Sequence, residues 1–243
     1  MSEHNAVYFS MPEEEVYPLA EKFFLRAAGF DLEREKHRRM YEEAKDIRVD
    51  GLEKICVEGR YAVYGADAYD GEAICAGGER IPAAAFSRIP AEAVNHVALY
   101  VITARECGIQ DDADIMAQLY AHMWGTAYVD AGRIMLETQL KEKLYSAARS
   151  VGVDSPALSP AFSPGFYGMD NKDNSAIITL LGAGDIGVSC LDTGVMLPVK
   201  TCSGVFLVTD GSTEFPGDEC LVCIGNKTSC AECMIGNRAA MNI

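Results

Sequence analysis

The chain is most informative at first in what it has little of. No stretch of its 243 residues approaches the eighteen or so consecutive apolar residues that a membrane span needs. The first residues have neither the basic start nor the apolar run of a secretory signal, so a cytoplasmic location is expected. Positive charge is scarce: 21 Lys and Arg stand against 36 Asp and Glu, a formal net charge of −15. A phosphate backbone or an anionic membrane surface is held by clustered cations, so neither nucleic acid nor membrane is expected as a partner. His4, His37, His96 and His122 are scattered along the chain. Gly-x-Ser-x-Gly elbows, Walker loops and His-Glu-x-x-His are all missing, which removes the hydrolase, nucleotide-loop and zinc-protease patterns. Internal repeats and low-complexity runs are missing too.

What is present suits a folded domain with a sizeable core, at 49% hydrophobic and 23% charged residues. Cysteine is abundant and odd in number, at nine. In a reducing compartment these are expected as thiols or metal ligands rather than a disulfide framework. Four of them form Cys220-x-x-Cys223 and Cys230-x-x-Cys233. Each pair offers two thiolates from one tight turn, and the two together complete a tetrahedral site for zinc or an iron–sulfur cluster. A redox-active Cys-x-x-Cys and a set of unligated thiols are the alternatives.

Along the chain, Val16, Leu19, Ala20, Phe23, Phe24 and Ala27 recur at helical spacing from Pro12 to about Phe30. Asp31 suits the N-cap of a second, highly charged helix running toward Ile47. Residues 60–69 and 72–81 read as short strands about an Asp70-Gly71 turn, and residues 95–103 as a buried strand. Residues 111–149 contain no proline and change apolar face midway, which fits two successive helices or one bent one. Gly125 and Gly132 lie seven apart on one side of it, marking either a packing seam or a wall against the sheet or a ligand.

Beyond Ser150 the composition turns to Gly, Pro, Ser and short apolar runs. Residues 159–170 carry two prolines and two glycines, with Phe162, Phe166 and Tyr167 as flat surfaces on which a purine could stack. A structural turn between strand and helix is the plainer reading. Residues 182–187 form a Gly-x-Gly-x-x-Gly, but Val188 to Leu191 do not open a helix after it, so a dinucleotide fold is not expected.

Three segments in order, Ser163-Pro164-Gly165-Phe166-Tyr167, Ile186-Gly187-Val188 and Met196-Leu197-Pro198 through Cys202-Ser203-Gly204, resemble the activation domain of vitamin B12-dependent methionine synthase. The resemblance covers residues 10–233 and is strongest after 155. It implies an α+β fold, with helices packed on a twisted, mainly antiparallel sheet. It also implies an N-terminal helical segment over 1–50, an activation-domain-like core over 51–215 and a Cys-rich segment over 216–243. That family binds S-adenosylmethionine on an Arg-x-x-Pro-Gly-Tyr loop and presents it to a corrinoid protein or corrinoid-dependent methyltransferase. Carried over, the ligand would lie on Ala161, Ser163, Pro164, Gly165, Phe166 and Tyr167, with no general acid or base required. Ala161 stands at the Arg position, which removes the strongest charge contact to the ligand carboxylate. None of the histidines sits in an Asp-x-His-x-x-Gly setting, so the corrinoid would belong to the partner. A docking module without chemistry and a redox protein centred on the Cys pairs are the other two readings.

Overall fold

The computed structural model describes residues 6–51, 55–105, 114–213 and 215. Strand β1 (Val7–Met11) leads into helices α1 (Glu13–Ala27) and α2 (Glu35–Gly51), then β2 (Ile55–Gly65). A small hairpin of β3 (Ala73–Ala76) and β4 (Glu79–Pro82) precedes the long β5 (Val94–Arg105). The 36-residue α3 (Ile115–Ser150) follows, then β6 (Ala157–Leu158), α4 (Asp173–Leu181), the ribbon β7 (Ser189–Cys190) and β8 (Met196–Leu197), and β9 (Thr201–Thr209). Five strands form one sheet in the order β1-β2-β5-β9-β6, every pair antiparallel. This is the α+β architecture that the sequence implies.

The central strands are apolar throughout because both of their faces are covered. On β5, Ala98, Tyr100, Ile102 and Ala104 point toward the helices, while Val97, Leu99 and Val101 point to the opposite face. The helix side is built around Trp124, whose ring stacks on Phe24 at 4.0 Å between centroids. Its Nε1 donates to the Ala44 carbonyl at 2.7 Å, tying α3 to α2. The other side is built from Phe86, Phe162, Tyr167 and Met169 together with α4.

Residues 115–150 form one helix rather than two. Its burial pattern changes because its first half lies between the sheet and α1, whereas later only the stripe Leu136, Leu140, Leu144 and Ala148 is covered. The two glycines serve different neighbours. A Cβ on Gly132 would come within 2.5 Å of Val57 and 2.9 Å of Ile102, so this glycine lets the helix lie on the sheet. A Cβ on Gly125 would meet Lys200 instead, at 2.9 Å from its Cγ.

Two boundaries differ from the sequence reading. α2 begins at Glu35 because Asp31 closes a turn of its own, its carboxylate accepting from the Glu33 amide at 3.1 Å. The strand expected over 60–69 starts earlier and ends at Gly65, and residues 72–81 fold back as a hairpin. Gly77 and Gly78 supply the two left-handed residues of that turn, at φ +56 and +89.

Residues 182–187 are the C-terminal cap of α4 and not a phosphate loop. The apolar run before them is helical, and Gly182 ends the helix at φ +56. Arg60 on β2 then pins the segment, donating to the Gly182 carbonyl at 2.6 Å and to Asp185 at 2.5 Å. Arg105 adds a second tie, pairing with Glu58 and donating to the Ile186 carbonyl at 3.2 Å.

Candidate functional site

The loop over 159–170 is laid along the free edge of β9. Phe162 exchanges both backbone hydrogen bonds with Val205, N–H to O at 2.9 and 2.7 Å. Ser159 adds two more with Leu207, at 2.9 and 2.8 Å. Within the loop, Gly165 donates to the Met169 carbonyl, Phe166 to Ser163 and Met169 to Phe166, all near 3.0 Å. Gly165, at φ +91, is required where a Cβ would meet the Asn171 side chain at 2.6 Å.

Of the residues named from sequence, Ala161, Pro164 and Tyr167 are buried, while Ser163, Gly165 and Phe166 are partly exposed. Phe162 and Tyr167 pack edge to face at 4.8 Å inside the core, so their rings are enclosed. Phe166 is the aromatic of the loop that retains accessible surface. Cys220, Cys223, Cys230 and Cys233 lie outside the described residues. Among the described residues no three His, Cys, Asp or Glu groups come together to hold a metal ion. None of their helices is long and apolar enough to cross a membrane.

Where the loop meets the sheet, Gly204 is decisive. It stands opposite Tyr100 in the β5–β9 register. A Cβ there would lie 2.6 Å from the Phe162 carbonyl and 2.8 Å from both the Ser163 and the Tyr100 hydroxyls. The Tyr100 hydroxyl is buried against Ser163 without a well-aligned hydrogen bond. Next along β9, the Ser203 hydroxyl donates to Asn174 at 2.6 Å, and Asn174 donates to the Gly194 carbonyl at 2.9 Å. This chain of bonds docks α4 and the 190s turn onto β9.

The opposite wall comes from α3 and was not apparent in the sequence. Asp130, Arg133 and Glu137 follow one another at helical spacing on a helix that is otherwise largely covered. Lys200, buried, lies over the same helix with its ammonium 2.8 Å from Thr126 and 3.0 Å from the His122 ring nitrogens. Burial pushes the Asp130 carboxyl up to about 6 despite the opposing pull of Arg133 and Lys200. Burial likewise pushes the Cys202 thiol up to about 12, so it stays protonated and unreactive as a nucleophile. The available signal was the polar i, i+3, i+7 series 130, 133, 137 within an apolar helix.

No family model matches the sequence, and no curated protein matches it. Among solved structures, the MetH reactivation domain bound to AdoHcy is similar, with a TM-score of 0.60 at 12% identity. The match covers 88% of this chain and 81% of that one. The chain has the fold of that reactivation domain.

Proposed function

We propose that the protein is an S-adenosylmethionine-binding module that supports reductive reactivation of a corrinoid held by a separate methyltransferase or corrinoid protein. The observation that carries this reading is a fold likeness extending over 88% of the chain to a domain solved with AdoHcy. The Ser163 to Phe166 stretch supports it, since it presents a half-buried aromatic ring beside a glycine that leaves side-chain space empty at Gly204. Phe166 would stack on the adenine, and Ser163 and Gly165 would line the ribose side. S-adenosylmethionine would supply a methyl group to the partner's cobalt once an external donor had reduced it by one electron. The residues here would contribute position alone, holding the sulfonium toward the partner.

Calorimetric titration with S-adenosylmethionine, and with S-adenosylhomocysteine for comparison, tests this. Saturable binding is expected, with a melting temperature that rises with ligand concentration. No heat up to millimolar ligand would overturn it. The second reading, a docking module without chemistry, rests on Ala161 at the family's Arg position and would then take its place.

A further inference from the structure

A ligand with an amino-acid end brings a carboxylate, and a buried carboxylate needs a cationic partner. The loop offers none: Ala161 is 7% exposed and packs in the helix-side core, facing the α3 side of the sheet. α3 places a guanidinium on that same side. The Arg133 side chain is 14% exposed, and its contact to Glu137, at 3.6 Å, is longer than a hydrogen bond. Arg133 acts electrostatically on Tyr100 and Cys202, the two side chains that flank Gly204 from β5 and β9. Ser163 reaches the same Tyr100 from the loop. The two walls therefore converge on one spot, where Gly204 leaves room.

We propose that Arg133 is the cation that receives the ligand carboxylate, in place of the arginine that the loop lacks at Ala161. The inference rests on the S-adenosylmethionine reading above and deepens it. Lys200 is the other cation of the cluster, but its ammonium is already engaged by His122 and Thr126. Asp130 and Glu137 flank Arg133 one turn to either side and suit the ligand's ammonium. Two acids and two bases make the cluster balanced in charge, and a zwitterionic end group enters without upsetting that balance. Guanidinium geometry favours the assignment, because its planar fork accepts a carboxylate bidentately.

The test is a pair of ligands against a pair of proteins. S-adenosylmethionine and its decarboxylated analogue are titrated into the full chain and into Arg133→Met. The unmodified chain is expected to prefer the carboxylate-bearing ligand by about tenfold or more, and Arg133→Met to lose that preference while keeping its hold on the analogue. Arg133→Lys should restore part of it. Equal affinity of the unmodified chain for both ligands overturns the inference and leaves the S-adenosylmethionine reading intact, and it does so even if Arg133→Met fails to fold. Silence with S-adenosylmethionine overturns both.

Discussion

The two walls of the candidate site are made in opposite ways. The loop over 159–170 carries little charge in its interior, and its backbone groups are bonded to β9 or to one another. Its shape follows from proline, left-handed glycine and two enclosed aromatic rings. The α3 wall is a regular helix whose shape is ordinary, yet it brings Asp130, Arg133 and Glu137 under cover, with Lys200 laid across it. Form is thus supplied by a segment with distinctive sequence, and charge by one without. A motif can identify the first wall and remain silent about the second.

Substitutions should separate the walls. The largest effect is expected at the anchor of the helix wall. Trp124→Ala removes the stack on Phe24 and the bond to Ala44, and should cost about 3–5 kcal/mol in a urea melt. Next is Asp130→Asn, which should stabilise the protein. The folded state holds the Asp130 proton up to about pH 6, against 3.8 for the free side chain. Its favourable contribution is therefore complete below about pH 4 and lost as pH rises through 6. Asparagine should recover about 2–3 kcal/mol at pH 7.5 and nothing at pH 4, read as a difference in melting free energy between the two conditions.

The loop wall should respond less in stability and more in binding. Gly204→Val forces a side chain against the Phe162 carbonyl and Ser163, at a cost of about 1–3 kcal/mol, and should abolish S-adenosylmethionine binding in calorimetry. If binding survives, the ligand does not use the space over Gly204. The smallest effect is at Ser203→Ala, which leaves Asn174 with one fewer partner and should cost about 1 kcal/mol with affinity unchanged.

Much of the sheet was legible because burial on both faces leaves an unbroken apolar run, as in residues 95–103, which lie within β5. α1 was legible from one clean apolar stripe. The hairpin over 72–81 was missed although Gly77-Gly78 announced it, since the apolar residues around that pair read as a single run. The start of α2 was misplaced because Asp31 is as good a turn residue as a cap. Phe162 and Tyr167 looked like stacking surfaces, but an aromatic in a short loop gives no indication of which face will be covered. The charges of α3 escaped notice for a related reason: a helix packed on several sides has no solvent face against which a buried polar residue stands out.

The paired backbone bonds between Phe162 and Val205 make the candidate site, in effect, a further rung of the sheet. Its amides are expected to exchange with solvent on the timescale of β9 and not on that of a surface loop. A ligand meeting such a surface finds the chain already ordered, so little conformational entropy is lost on association. Recognition would then be governed by fit and charge, with slow dissociation rather than loop closure setting the lifetime of the complex.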